Sequence, residues 1–167
     1  MTTTEYEEKG RQKLVEDFNN ADCEMIYEFT KGKFDSIDCF ATASTGEKFA
    51  IEIKNRDISI DKYDDVMLEL HKYNALMLAH EESGYTPIFR IYYKDGKLSY
   101  NLLQLKDVEN RVEEMKCTQT TVDYGHKVIK KLIMLKKEEA IDKKRSNRNN
   151  SQGTNGRDRY YQYRKDK

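Results

Sequence analysis

The chain has 167 residues, of which 36% are charged, and its 30 Lys and Arg balance its 30 Asp and Glu. It contains no run long and apolar enough to span a bilayer and no signal-peptide pattern at its N-terminus. We therefore expect an intracellular, cytoplasmic protein, or one of the host cytoplasm if the source is viral. The three cysteines and three histidines are widely spaced and form no zinc or redox motif, which argues against those kinds of site.

The balanced total conceals a basic C-terminal segment. Residues 143–167 contain nine Lys or Arg and two Asp, a net charge of +7, which leaves −7 for residues 1–142. Without aliphatic residues, this segment cannot bury enough apolar surface to offset the entropy of ordering. We expect one folded domain over 1–142 and a disordered tail over 143–167. Such a tail either keeps the chain soluble or binds a polyanion through its cations and Tyr160, Tyr161 and Tyr163.

The N-terminal half is predicted to contain a helix, three strands and a second helix. Apolar residues at helical spacing place the helices at residues 4–19 and from Asp61 to His80. Gly84 and Pro87 are expected to end the second helix. Extended patterns occur at 25–30, 34–43 and 48–54, and the last two flank the hairpin signal Ser44-Thr45-Gly46.

The C-terminal half begins with a second predicted hairpin, formed by residues 88–93 and 98–103 around the turn 94–97. Beyond it, Asp107–Met115 has a helical pattern and Cys117–Asp123 an extended one, while Lys127–Leu135 fits either. The element order predicts an α/β fold in which a mixed sheet is flanked by helices.

The loop length of the first hairpin selects one of two candidate aspartates. A three-residue loop over 44–46 fixes the later pairs so that Asp38 lies opposite Glu52 and beside Lys54. In this register one face of the hairpin is uniformly apolar, with the pairs Ile37–Ile53, Cys39–Ile51 and Ala41–Phe49. A two-residue loop would force Asp38 onto that face, where an unpaired charge is costly. The register therefore selects Asp38 over Asp35, which points to the opposite face.

Asp38, Glu52 and Lys54 converge on one patch in this register. Two carboxylates a few ångströms apart repel unless a cation lies between them. Oxygen ligands suit Mg²⁺, which keeps several of its waters, and Ile53 would add its backbone carbonyl. Lys54 could orient or deprotonate an attacking water, or neutralise charge on a phosphate. The alternative is that these are ordinary charged residues on a solvated strand face.

These residues resemble the PD-(D/E)xK nuclease superfamily, which includes restriction enzymes, archaeal Holliday junction resolvases and many phage nucleases. The matching parts are Asp38 with its apolar neighbours, the turn 44–46, and Glu52-Ile53-Lys54 within the segment 49–56. Ile37 stands at the position of the proline in the family name, which many members lack. The element order also matches over residues 4–93. The resemblance implies a restriction endonuclease-like fold with an α-β-β-β-α-β core, and phosphodiester hydrolysis with Mg²⁺, for which Mn²⁺ can substitute.

Further site residues are suggested beside this motif. Many relatives place a glutamate of the first helix near the metal, and here Glu7 and Glu8 compete. Glu7 is favoured because it aligns with the apolar stripe of its helix, although a glutamate simply interacting with the helix dipole is the alternative for either. Lys72 stands where relatives have an auxiliary Lys or Gln, or is an exposed helical lysine. Arg56 shares the face of Glu52 and could contact a phosphate, or is an exposed arginine at a strand end.

We therefore expect a magnesium-dependent nuclease acting on DNA, with branched or junction DNA among the candidate substrates and a homodimer among the candidate assemblies. Asp38 and Glu52 would hold one or two ions while Lys54 assists the water. One alternative is a catalytically silent nucleic-acid-binding protein with the same fold, and another is an adaptor whose tail recruits an acidic partner. Metal dependence distinguishes the nuclease from both alternatives. The salt dependence of nucleic-acid binding distinguishes the silent nucleic-acid-binding protein from the adaptor.

Overall fold

The structure is a computed structural model that describes residues 2–32, 35–119 and 125–146. Its helices are α1 (Thr3–Asn19) and α2 (Leu70–Ser83). Its strands are β1 (Met25–Phe29), β2 (Cys39–Ala43), β3 (Lys48–Asn55), β4 (Asp65–Glu69), β5 (Thr86–Tyr92), β6 (Gly96–Asn101), β7 (Val112–Thr118), β8 (Lys127–Lys136) and β9 (Asp142–Arg145). Neither helix is long and apolar enough to cross a membrane, a finding limited to the described ranges.

A mixed sheet in the order β1-β2-β3-β5-β6-β9 forms the centre of the fold. Strands β3 and β5 are parallel, and the other neighbours in this sheet are antiparallel. Strands β4, β8 and β7 form a second, antiparallel sheet. Helix α1 covers one face of the central sheet, while α2 and the second sheet cover the other. The predicted α/β fold, a mixed sheet flanked by helices, is confirmed.

Both faces of β3 are covered, and this determines where its polar side chains point. Ile51 and Ile53 pack with Leu14 of α1 in one apolar cluster. Ala50, which points to the opposite face from these two isoleucines, packs in the cluster that contains Leu76 of α2. Because side chains of a strand alternate between faces, Glu52 lies on the face of Ala50, beneath α2.

The register predicted for the first hairpin is confirmed in β2 and β3, where Cys39 pairs with Ile51 and Ala41 with Phe49. The predicted pair of Ile37 with Ile53 is wrong, because β2 begins only at Cys39. Ile37 packs instead into the cluster on the α2 face. The expectation that Asp35 extends this strand is also wrong, since Asp35 lies in an exposed loop and its carboxylate accepts a hydrogen bond from the Gly32 N–H.

The predicted helix from Asp61 to His80 is wrong in its first half. Residues 65–69 form β4, and α2 begins only at Leu70. The side chains of Val66 and Leu68 are buried because β4 pairs with β8, more than sixty positions later in the chain. A strand whose pairing partner lies that far along the chain has no recognisable pattern in its own local sequence. The predicted end is confirmed, since Gly84 adopts a φ of 70° and caps α2 with its N–H.

The C-terminal half departs further from the predicted elements. The second hairpin is confirmed as β5 and β6. The predicted helix Asp107–Met115 is wrong: a short 3₁₀ turn over Val108–Arg111 leads directly into β7. Of the predicted extended segment Cys117–Asp123, the first residues belong to β7, and 120–124 lie outside the described residues. The segment Lys127–Leu135, which fitted either type, belongs to strand β8.

Strand β9 corrects the boundary placed after residue 142. Lys143 and Lys144 pair with Leu98 and Lys97 of β6, so the folded part of the chain continues at least to Arg145. Residues 147–167 lie outside the described residues. The disorder of the basic tail therefore stays a prediction.

Candidate metal and nuclease site

The candidate site begins where β2 ends beside β3. The backbone N–H of Asp38 donates to the carbonyl of Ile51 at 3.0 Å, and the N–H of Ile53 donates to Oδ2 of Asp38 at 2.7 Å. Residues two apart in a strand direct their N–H and C=O groups toward the same neighbour. The carbonyl of Ile53 therefore points toward the side of β3 on which Asp38 lies.

Glu52 is buried beside Asp38, with only 2% of its surface exposed. Lys72, in the first turn of α2, donates to Oε1 of Glu52. The other oxygen, Oε2, is buried and has no hydrogen-bond partner within the described part of the chain. Burial, followed by repulsion from the Asp38 carboxylate, raises the pKa of Glu52 well above its ordinary value, although Lys72 opposes the rise. The single positive charge of Lys72 thus does not neutralise this pair of carboxylates, which keeps excess negative charge.

Lys54 lies on the same face of β3 as Glu52 and is half-buried. Burial lowers the pKa of Lys54, and the nearby guanidinium of Arg56 lowers it further, while the carboxylates of Glu52 and Glu69 act in the opposite direction. Arg56 is half-buried just beyond the end of β3, where its backbone N–H donates to the carbonyl of Tyr92. A lysine that is partly desolvated and lies beside another cation can give up its proton more readily than a solvated one.

A cleft of about 80 Å³ joins these groups to α1. Its lining consists of Thr3, Tyr6, Glu7, Gly10, Arg11, Asp38, Glu52, Ile53, Lys54, Asn55 and Lys72. Of the two glutamates that compete on the first helix, Glu7 is on the wall of the cleft and Glu8 is not in its lining. Arg56, the phosphate contact suggested by the sequence, is also outside the lining. The structure thus brings the other predicted site residues to one enclosed space.

Gly10 and Asn55 position α1 against the site. A Cβ on Gly10 would lie 3.0 Å from Cγ2 of Ile53, so any larger residue would require Ile53 to shift by a few tenths of an ångström for the helix to approach β3 this closely. The side chain of Asn55 donates to the carbonyl of Tyr6 at 3.3 Å and accepts from Lys13 at 2.9 Å. Helix α1 is therefore fixed along the strand that carries Glu52.

The sequence interpretation missed part of this wall. Thr3, Gly10 and the buried Leu14 share the helical spacing of Glu7, so the stripe of α1 that faces β3 was visible in the sequence. Asn55, by contrast, follows the E-x-K motif without any pattern of its own. Its contacts depend on where α1 packs, which only the folded chain shows.

The oxygen donors of the site match the preferences of a magnesium ion. Among the residues described, no group of three or more His, Cys, Asp or Glu could hold a metal. The oxygen donors that would hold an ion here are the carboxylates of Asp38 and Glu52 and the carbonyl of Ile53. Mg²⁺ is commonly bound through one or two carboxylates and retains several waters. The unpartnered, buried Oε2 of Glu52 is consistent with a cation at this place.

Comparison with known proteins finds similarity to solved structures but not to a family model or a curated protein. Among solved structures it is similar to Hjc of Archaeoglobus fulgidus, a Holliday junction resolvase from an archaeal hyperthermophile. The two are 13% identical, the TM-score is 0.48, and the match covers 78% of this chain and 83% of that one. At this level the function has to be inferred from the side chains of the site.

Proposed function

We propose that this protein is a divalent metal-dependent nuclease that hydrolyses phosphodiester bonds in DNA. The observation that carries the proposal is the buried Glu52 carboxylate beside Asp38, with one oxygen lacking a hydrogen-bond partner among the described residues. Leaving a buried carboxylate oxygen unsatisfied is costly, so proteins retain such groups mainly where a ligand satisfies them. An oxygen-rich site of this kind suits Mg²⁺ or Mn²⁺.

The residues around the cleft divide the work of hydrolysis between them. Asp38 and Glu52, with the Ile53 carbonyl, would hold the ion, and Ile53 N–H keeps the Asp38 carboxylate in place. When bound, the ion supplies positive charge that stabilises the negative charge developing on the phosphate. Lys54 orients the attacking water and can accept its proton. Arg56, on the same face just beyond the strand, contacts a neighbouring phosphate of the substrate.

Lys72 and Glu7 have supporting roles in this proposal. Lys72 holds one Glu52 oxygen, which leaves the other directed toward a cation. Glu7 faces the cleft from α1 and can bind a water that completes the coordination of the ion. Both residues would therefore orient the ligands of an ion, whereas Asp38 and Glu52 would supply them.

The ion pair of Lys72 with Glu52 also favours a second candidate function. An ammonium group on Glu52 partly neutralises the carboxylates without any metal. A protein using it in this way would keep the fold and bind nucleic acid without cleaving it. Metal dependence distinguishes the two functions, because only the nuclease loses an activity when divalent ions are removed.

A cleavage assay on the full chain tests the proposal. End-labelled duplex, four-way junction and single-stranded DNA are incubated with Mg²⁺, Mn²⁺ or EDTA, and a matched RNA strand serves as a further substrate. We expect cleavage of at least one DNA substrate with Mg²⁺ and none with EDTA. Binding of every substrate with no cleavage under any metal would support the silent nucleic-acid-binding protein instead.

A further inference from the structure

A two-stranded ribbon extends from the second sheet next to the candidate site. Glu69, the last residue of β4, pairs with Leu132, so in the described residues β8 continues over 127–131 with β7 as its only partner. The paired segments 114–118 and 127–131, here called the arm, are mostly exposed to solvent. The turn that joins them includes residues outside the described ranges. An exposed ribbon of this kind contributes little to the core.

The arm is basic although residues 1–142 as a whole are acidic. Four lysines and one glutamate give it a net charge of +3, whereas residues 1–142 carry −7. The lysines are Lys116, Lys127, Lys130 and Lys131. The arm also exposes apolar side chains, above all Ile129, which is 73% exposed. A surface with this mixture suits a polyanion that also offers apolar groups, as a nucleic acid does.

The base of the arm lies at the end of α2 that contributes Lys72 to the site. Lys130 donates to Oε1 of Glu69 at 2.8 Å, and Glu69 is the residue that directly precedes α2. The carboxylate of Glu69 also acts electrostatically on Lys54 of the candidate site. A substrate bound at the site would therefore pass close to the arm.

A groove of about 410 Å³ separates the arm from α2. It is lined by Glu69, Leu70, His71, Asn74, Ile129, Lys130 and Lys131. Its single carboxylate, Glu69, is paired with Lys130 at 2.8 Å, so its charge is largely compensated. Asn74 and Lys131 of this lining are exposed, and Lys131 lies 3.9 Å from the equally exposed carboxylate of Glu114 on the arm.

We propose that the arm and this groove bind double-stranded nucleic acid beside the candidate active site. A two-stranded ribbon fits the major groove of duplex DNA, where its lysines can contact phosphates and Ile129 can contact the apolar edges of bases. This inference rests on the proposed function for its substrate class. A second copy of the chain is the less favoured occupant, because two arms meeting face to face would bring clusters of lysines together.

The test is equilibrium binding of a labelled duplex DNA to the full chain in EDTA, which separates binding from cleavage. The variant Lys127→Glu/Lys131→Glu is compared with Lys62→Glu/Lys106→Glu, an equal charge change at exposed lysines outside the arm and groove. Affinity of the arm variant should fall at least tenfold at low salt. The slope of log affinity against log salt should flatten by about two, because each lost phosphate contact contributes about 0.9. The control variant should keep the wild-type slope.

Equal affinities and equal slopes for the two double variants would overturn the proposal. A third variant, Ile129→Ser, should weaken binding without changing the salt slope, since it removes an apolar contact and no charge. If Ile129→Ser instead converts a wild-type dimer to a monomer and leaves DNA binding intact, the arm is a contact between copies and the proposal fails. Wild-type cleavage with Mg²⁺, measured separately, tests the proposed function without depending on either result.

Discussion

The two carboxylates of the candidate site differ in their surroundings, and this difference predicts how each responds to substitution. Asp38 is half-buried and fixed by the N–H of Ile53, whereas Glu52 is buried with one unpartnered oxygen. Asp38→Asn and Glu52→Gln each replace a charged ligand by a neutral one. We expect single-turnover cleavage to fall at least about a hundredfold for both, on the scale of losing a principal stabiliser of the transition state.

The stability of these variants separates a catalytic role from a structural one. Because burial disfavours the charged form of Glu52, Glu52→Gln should unfold at the wild-type temperature or above it. Asp35→Asn is the matched control, since it alters an exposed loop carboxylate bonded to Gly32. Cleavage that survives in Glu52→Gln but is lost in Asp35→Asn would show that the wrong aspartate and the wrong site were chosen.

Asp17 illustrates a charged residue whose role is structural. Its carboxylate accepts hydrogen bonds from Arg90 at 2.9 Å, Tyr92 at 2.6 Å and Lys97 at 2.7 Å. Burial would raise the pKa of Asp17, but the charge of Arg90 and the hydrogen bonds from Lys97 and Tyr92 outweigh it and hold the pKa below its ordinary value of 3.8. The network ties α1 to β5 and β6, on the face of the central sheet that α1 covers.

The lowered pKa of Asp17 predicts a pH dependence of stability. Since the pKa is lower in the folded state, the stabilisation is fully present above the unfolded value of 3.8 and is lost as pH falls through the folded value. Asp17→Asn should reduce the free energy of unfolding at pH 7 by about 2–4 kcal/mol. Urea unfolding across pH 2–7 should show this difference narrowing below about pH 4. A difference that stays constant down to pH 2 would contradict the assignment.

At the scale of elements, the sequence could predict what depends on neighbours in the chain. The register of β2 and β3 followed from a three-residue loop, and Gly46 indeed adopts the left-handed conformation with a φ of 94°. The sequence pattern predicts a helix over β4, because the partner strand β8 that makes it a strand lies far along the chain. Strand β7 pairs with the next strand β8, but its residues are mostly exposed and several are charged, so no alternation of apolar residues marks it as a strand. The motif residues Asp38, Glu52 and Lys54 lie in the locally determined part, whereas the walls of the cleft depend on packing.

The close approach of α1 to β3 predicts how a larger residue at position 10 would affect the packing of the helix. Gly10→Val would place side-chain atoms against Ile53 and Asn55, where even a Cβ meets atoms at 3.0 and 3.4 Å. Overpacking of this kind costs about 1–3 kcal/mol and displaces the backbone that carries the cleft. We expect a lower unfolding temperature together with reduced cleavage. Gln12→Val, at an exposed position of the same helix, should change both far less.

The whole molecule places the start of the basic tail near the candidate site. Paired residues form a row from Asn55 through Tyr92 and Lys97 to Lys144, so β9 leaves the central sheet at the end where β3 presents Arg56. Three strand spacings separate β3 from β9, a distance of about 14 Å. A flexible chain of the tail's length spans roughly 25 Å. If residues 147–167, with six Lys or Arg and two Asp, form a flexible chain as the sequence predicts, they can reach a substrate in the cleft.

Deleting residues 147–167 tests whether the tail binds the substrate, and a truncation after Ser146 keeps β9 intact. We expect weaker DNA binding at low salt and a salt slope flatter by up to about five, because up to six phosphate contacts are lost. The loss should shrink as salt screens the tail's charges. Turnover at saturating substrate should survive, since the cleft lies within the described residues.

A full-length chain with the six tail cations replaced by Gln controls for length. Identical salt slopes for intact and truncated protein would dismiss the tail as a phosphate contact, and normal binding with lost turnover would show that it completes the active site instead.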